Sequence, residues 1–527
     1  MNLNRYLMGL GLLLAGSALT ACEKFLDVND NPNNPVVSTP NFLLPGIIAN
    51  GIQTQMFTSL RASFITQYAV SRTANSGGND QYFFTNANST NTFNFSYFQS
   101  GGNIPGMVKA AEAEGSPYYV GAGKIMQAVI LAHATDMLGD IPYSEAYQGG
   151  ANFTPKYDPQ PQIYAAINQL CDEGALEMAK PASAQNRPFY STNPSESGDI
   201  LYKGDPAKWV RLAFALKARQ AQHLTKKATY DPKAVLDLCA KAFRSSADDA
   251  QINFQVAVAP LVNTTNIFGV TRSNFGAATF SSNVVKYLNG TTFSGVVDPR
   301  FGILTPTTST GIDPGRGTSA TANLTPGSTL TDFYGGWYAR DLGYYEAITY
   351  HEVKFIEAEA ALAAGDRVLA LASLQEGIRS HMRKVGTGGT FSPPAVTFPQ
   401  IFESQISAYL ASSAVPQTPA AVTLRSIMEQ KYIAMFLNPD SWSDLRRHDF
   451  SPALYVNFLY PNYGGSQAVP LTGGQFPRRL LPGATEVTVN PNAVAKLFSD
   501  AGATTNNDYG TKPLWFDQKY GPLGAFP

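Results

Sequence analysis

Apolar residues recur along residues 42–70 at Ile47, Ile48, Ile52, Met56, Leu60, Phe64 and Tyr68. That spacing is close to the roughly 3.6-residue turn of an α-helix and predicts one long helix. The pattern dissolves into polar Ser71–Asp80. From 76 to 106, Tyr82, Phe83, Phe84, Phe93, Phe95, Tyr97 and Phe98 stand among Asn, Ser, Thr and Gly with neither a helix face nor sustained alternation. This stretch predicts an ordered loop, and a loop dense in rings is a candidate contact surface. Helical periodicity resumes at Tyr118–Leu138 and closes at Gly139, before the turn Asp140-Ile-Pro-Tyr143.

Three later helices are expected to open alike. Asp158-Pro159, Asp205-Pro206 and Asp231-Pro232 each set a capping oxygen before a proline suited to the first helical position. Apolar faces follow at Ile163, Ile167 and Leu170, at Trp209, Leu212 and Leu216, and at Val235, Leu238 and Ala242. Residues 250–340, rich in Thr, Ser, Gly and Asn, read as irregular with at most a short strand pair. A loop region of that length in a compact protein is usually functional. Residues 344–364 and a second segment through Leu371, Leu374, Ile378 and Met382 predict an antiparallel helix pair, with Gly365 as C-cap and Asp366 as the next N-cap. Its length is that of a tetratricopeptide unit, although strict repeat signatures are absent. Helices are expected again at 400–411 and 421–437, and the tail from Phe450 reads as coil. The fold class is mainly α: tetratricopeptide-like helix pairs in a superhelical scaffold, with large loop insertions at about 76–106, 250–340 and 450–527 and little β.

The first 35 residues change the picture. Arg5, an apolar run from Leu7 to Leu19, and Leu19-Thr-Ala-Cys22 have the layout of a lipoprotein signal peptide. The run is too short to span a bilayer, which takes about 20 residues. Residues 1–21 would be removed, Cys22 would carry the lipid anchor, 22–35 would be a polar leader, and 36–527 a single binding domain. Cleavage removes only Arg5 from a balance of 38 basic against 39 acidic side chains, so no basic surface invites nucleic acid. Charged residues are 15% of the chain and aromatic ones 12%. Solubility therefore rests on uncharged polar groups, and the rings exceed what a small-residue core needs, which points to a binding surface. Cys171 and Cys239 sit in helical patterns and read as unpaired core thiols.

Catalytic signatures are missing from this sequence. His133, His223, His351, His381 and His448 form no metal-binding spacing, and Asp27-Val-Asn-Asp-Asn31 has Pro32 and Ser38 where a calcium loop needs Gly and Glu. His133 and Asp136 share a helix face, which reads as a structural hydrogen bond. There is no nucleophile elbow or phosphate loop. Glu357 and Glu359 read as a solvated helix face, while Trp442, Arg446 and Arg447 read as a structural ion-pair segment. Asn79, Tyr82, Phe83, Phe84, Trp337 and Tyr338 are the candidate ligand-binding residues, since sugar rings stack on aromatic faces while amides satisfy hydroxyls.

Six segments in order carry a family resemblance: Asp136-Met-Leu-Gly-Asp-Ile-Pro-Tyr-Ser-Glu-Ala-Tyr147, Gly204-Asp-Pro-Ala-Lys-Trp209 with Leu216-Lys-Ala-Arg219, Glu352-Val-Lys-Phe-Ile-Glu-Ala-Glu-Ala360, Glu429-Gln-Lys-Tyr432, Trp442-Ser-Asp-Leu-Arg-Arg447, and Pro477-Arg-Arg-Leu-Leu-Pro482 with Glu486-Val-Thr-Val-Asn-Pro-Asn492. From Cys22 onward the chain resembles the SusD/RagB outer-membrane lipoproteins of Bacteroidetes, in their SusD-like, starch-binding-associated subgroup. The resemblance implies a protein lipid-anchored at the cell outer membrane and exposed at the surface. It implies a nutrient ligand, a glycan or alternatively a peptide, passed to a SusC-type TonB-dependent transporter that the protein covers as a lid. It implies no enzyme activity and no cofactor; a surface glycan hydrolase is the alternative from another class.

Overall fold

A computed structural model describes residues 38–71, 82, 85–193, 196–254, 266–269, 278–315, 333, 336–391, 396–458, 460–461 and 475–518. Its longer helices are α1 (Pro40–Ile65), α2 (Ile104–Glu114), α3 (Pro117–Leu138), α4 (Gln160–Met178), α5 (Pro206–His223), α6 (Pro232–Lys241), α7 (Tyr350–Ala363), α8 (Arg367–Val385), α9 (Leu424–Ala434) and α10 (Asp440–Arg447). The strands are β1 (Ala69–Ser71), β2 (Ile141–Pro142), β3 (Tyr157–Asp158), β4 (Ala250–Asn253), β5 (Ala278–Phe280), β6 (Tyr344–Ile348), β7 (Thr387–Phe391) and β8 (Val396–Gln400). They pair antiparallel as β1–β5, β2–β3, β4–β6 and β7–β8.

The scaffold is a stack of helix pairs in which each helix packs on the next, from α2 through α3, α4, α5, α6, α7 and α8 to α9, with α1 lying across α3. The mainly α, tetratricopeptide-like architecture expected from the periodicity is the one observed. Helix α3 is its axis: every residue from Pro117 to Leu138 except Lys124 is buried, as befits a helix with apolar residues on all sides. It approaches α4 through Gly121 and Gly174, where a Cβ at Gly121 would come within 2.9 Å of the Gly174 carbonyl oxygen. Cys171 and Cys239 are free and buried, and burial pushes the Cys171 thiol up to about 12.

Two of the three Asp-Pro openings hold. Asp205 accepts from the Ala207 and Lys208 amides, and Asp231 from the Lys233 amide. Asp158 does not cap α4; it sits in β3 and accepts from the Tyr143 and Ser144 amides, while Asp140 reaches across to the Gln160 amide at 2.8 Å. The cap comes from the preceding turn, a spatial neighbour that sequence spacing does not reveal. Between α7 and α8, Gly365 has φ of +84° and Asp366 accepts from the Leu369 amide, as the Gly-Asp junction predicts.

Four expectations are corrected. Residues 344–348 are strand rather than helix: Tyr-Tyr-Glu-Ala-Ile pairs with β4, and α7 starts only after the Thr349 cap. Residues 86–103 are not loop but short helical turns, Asn86–Ser89, Thr90–Asn94, the π-turn Phe95–Gln99 and Gly101–Asn103. Hydroxyls bond back to carbonyls there, Ser89 to Asn86 and Ser96 to Thr92, and bury Phe93, Phe95 and Tyr97. The tail contains helices Ala484–Val489, Pro491–Asp500 and Asn506–Thr511. His133 bonds Thr58 at 2.8 Å instead of Asp136, and burial lowers its pKa to about 4, leaving a neutral ring.

Candidate functional site

The excess of aromatic side chains has a place in the fold. Tyr338 meets Phe436 at 6.2 Å between ring centroids, Phe436 meets Tyr68 at 5.1 Å, and Tyr68 stacks on Tyr432 at 4.5 Å. The chain of rings continues through Tyr455, Phe458 and Phe476 to Tyr82, which stands 6.0 Å from Phe476. Hydroxyls lock it to the scaffold: Tyr68 donates to the Tyr432 carbonyl at 2.6 Å and Tyr432 to the Thr66 carbonyl at 2.7 Å. The residues flanking the long inserted segments stand on this floor. Ser71 pairs with Ala278, Phe333 lies 4.3 Å from Phe280, Phe254 donates its amide to the Gly343 carbonyl, and Asn266 donates to the Tyr338 and Arg340 carbonyls.

At one end of the floor a cation replaces a ring. The Arg340 guanidinium carbon lies 3.4 Å from the centre of the Trp337 ring and 4.3 Å from that of Phe391, in the corner between two nearly perpendicular rings, with Nε donating to the Trp337 carbonyl at 2.8 Å. Trp337 donates to the Tyr344 hydroxyl at 3.1 Å and receives the edges of Phe391 and Phe398, both at 5.4 Å, so the β7–β8 hairpin is pinned here by two rings. Behind Tyr344, Lys384 bridges Glu346 and Asp249, and Tyr338 donates to Glu346 at 3.2 Å. Burial raises the Glu346 carboxyl, but Lys384 and His351 outweigh it and hold the group below the usual range. Asp249 shares the same lysine, and burial wins there, lifting its pKa to about 6. The cavity beneath Tyr338, Tyr344, Phe254, Phe268 and Phe436 measures about 20 Å³, room for one water and not for a sugar. A larger recess of about 330 Å³ between α2, α3 and α4 carries the paired Glu177 and Lys180 and no aromatic ring.

Residues 32–479 match the model of a family described as SusD-like, starch-binding associating with outer membrane. The chain belongs to the SusD-like family. Its fold matches a chitin-binding SusD homolog from Flavobacterium johnsoniae at 20% identity, over 91% of this chain and 99% of that one, with a TM-score of 0.68. A SusD/RagB family protein from Bacteroides thetaiotaomicron matches at 20% identity over 92% of this chain and 100% of that one, TM-score 0.67. A SusD homolog from Bacteroides fragilis gives 19% identity, 92% and 100%, and 0.62. No curated protein matches the sequence.

Within this SusD-like fold the candidate residues separate. Tyr82 is fully buried and Trp337 is 2% exposed, so neither ring has a free face, and both act as anchors of the floor. Tyr338 is half-buried and lines the small cavity. Cys22, Asn79, Phe83 and Phe84 lie outside the described residues, as does the Asp27–Asn31 pattern. Sequence reasoning missed Tyr344 and Arg340. Tyr344 was hidden by assigning its strand to a helix, and Arg340 is marked in sequence only by its closeness to Trp337.

The segments quoted for the family turn out to be scaffold. Arg447 grips Glu359 with both terminal nitrogens and Asp444 at 2.7 Å, and Arg446 donates to the Asp136 and Arg478 carbonyls. This bears out the structural reading of Trp442, Arg446 and Arg447. Glu359 is buried rather than solvated; Glu357 pairs with Lys354. Asp136, His223 and Asp440 gather closely enough to imitate a metal site. The geometry is instead a bridge: Asp136 lies 3.4 Å from Nδ1 of His223 and Asp440 lies 3.1 Å from Nε2, on opposite sides of one ring. A metal would take only one of those nitrogens. Burial lowers the His223 pKa, but the two carboxylates outweigh it and raise it to about 9, so the bridge is a buried imidazolium. Arg219 completes the cluster by gripping Glu352 at 2.5 and 2.6 Å.

Proposed function

We propose that the protein is a surface lipoprotein that binds a glycan and passes it to a SusC-type TonB-dependent transporter at the outer membrane, acting as its lid and performing no chemistry. The observation that carries this reading is the convergence of the inserted segments' flanking residues on one aromatic floor above a helical scaffold. Family membership supports an outer-membrane glycan binder, and the Flavobacterium johnsoniae neighbour is described as chitin-binding. Cleavage before Cys22, lipidation of its thiol and the leader 22–35 tether a single binding domain, 36–527. Among the described residues no helix is long and apolar enough to cross a membrane, which suits attachment by lipid. Tyr338 and Tyr344, half-buried rings of the floor, are the contacts assigned to ligand, together with Asn79, Phe83 and Phe84 on the grounds of sequence.

The test uses protein beginning at residue 22 with Cys22→Ala, which releases the chain from the membrane without touching the floor. Isothermal titration against an oligosaccharide panel should find a ligand, and no new reducing ends should appear on incubation. Affinity isolation of the lipidated protein from membranes should bring a transporter barrel with it. Turnover of a glycan at catalytic rates, or isolation of the protein alone, would overturn the corresponding half of the proposal.

A further inference from the structure

Among the described residues the other buried arginines engage their terminal nitrogens: Arg219 holds Glu352, Arg300 holds Asp298 and Gln430, Arg447 holds Glu359 and Asp444, Arg446 donates to two carbonyls, and Arg479 donates to the Lys512 and Pro513 carbonyls. Arg340 is 7% exposed, about as deeply placed as Arg219, yet among the described residues only its Nε has a hydrogen-bond partner. Glu346, the acid of the adjoining strand, is already engaged by Lys384 and Tyr338. The two rings stand at 82° with centroids 5.4 Å apart, so the guanidinium sits in the corner between them, against one ring with its face and the other with its edge. Nε is tied to the Trp337 carbonyl, which restrains the group, and the terminal donors keep contact with solvent, where a ligand can reach them. A planar fork with two free donors matches the two oxygens of a carboxylate, or two of a sulfate. Such a cation, restrained by Trp337 and Phe391 and hydrogen-bonded to no carboxylate among the described residues, is prepared for an anion.

We infer that Arg340 is the recognition point for an acidic substituent, a uronate carboxylate or a sulfate ester, and hence that the glycan bound on this floor is an acidic one. The inference rests on the glycan-binding reading and names the class of glycan. Tyr344, beside the guanidinium at 5.6 Å, would stack on the sugar ring that bears the acid.

The Cys22→Ala protein is titrated with tetragalacturonate, a sulfated chondroitin tetrasaccharide and neutral chitotetraose, each at low and high salt. The two acidic arms separate carboxylate from sulfate. At least one acidic tetrasaccharide should bind about tenfold or more tightly than the neutral one, with a preference that shrinks in salt. Arg340→Met, which keeps an apolar chain against Trp337 and Phe391, should remove that advantage. Arg340→Lys keeps the charge and loses the fork, so it should recover only part of it, which a merely structural arginine would not do. Equal acidic affinity in wild type and Arg340→Met overturns the inference. Binding of chitotetraose alone overturns it while leaving the glycan reading intact. Binding of none of the three overturns both.

Discussion

Two clusters of buried charge, one in the helical scaffold and one in the ring floor, solve the same problem differently. Around α5, α7 and α10, three cations face carboxylates at hydrogen-bond distance, Arg447 with Glu359, Arg219 with Glu352 and His223 between Asp136 and Asp440, while Arg446 has its nitrogens taken up by carbonyl oxygens and the Ser443 hydroxyl. In the floor, Arg340 is held by Trp337 and Phe391 and bonds no acid among the described residues. The first arrangement is closed, so removing any member strands another. The second is open, and the missing partner is what a ligand would bring. Buried polarity alone therefore does not mark a functional site; incomplete pairing does.

The largest test of this contrast is Glu359→Gln. It leaves the Arg447 charge buried against Asp444 alone and should cost about 3–5 kcal/mol of unfolding free energy, read from urea midpoints. A loss below about 1 kcal/mol would mean that the scaffold cluster is not closed in the sense argued. Next comes pH. The folded-state pKa of His223, about 9, lies above the unfolded value of about 6.5, so its stabilisation is complete below about pH 6.5 and disappears as pH rises through about 9. Wild type should lose about 3 kcal/mol relative to His223→Gln between pH 6 and pH 10; parallel curves for the two proteins would refute the charged bridge. Asp205→Ala, which removes the α5 cap without disturbing any buried charge, should cost about 1 kcal/mol. Smallest is Arg340→Met. Replacing an unpaired buried cation with an apolar chain should change stability by less than about 1 kcal/mol in either direction. A loss as large as that of Glu359→Gln would make Arg340 a scaffold residue.

What could be read in sequence was what local chemistry decides. Helices α3, α5 and α6, and the α7–α8 junction at Gly365 and Asp366, announce themselves through apolar period and caps. Several short elements did not, because their stability comes from neighbours distant in sequence: β6 needs β4 about ninety residues earlier, and Pro491–Asp500 was lost among prolines and glycines. The rings at Tyr82, Trp337 and Tyr338 were visible, but composition does not say which face of a ring is covered. Tyr82 is closed off by Tyr460 and Phe476. Arg340 has no local signature, since its meaning lies in partners it does not have.

The β7–β8 hairpin enters and leaves the scaffold at a single point. The Ile401 amide donates to the Gly386 carbonyl at 2.9 Å, so the chain on either side of residues 387–400 is already clasped. The fourteen residues between are thus a cassette. Joining Gly386 to Ile401 would excise the excursion while α8 and Glu403–Leu410 keep their places, and closing a longer or shorter substitute costs little extra chain entropy. Among the described residues, Phe391 and Phe398 dock the cassette on Trp337, and Phe391 also meets the Arg340 guanidinium. A different hairpin carrying two such rings could be grafted at the same clasp, exchanging one recognition arm for another without redesigning the body that carries it.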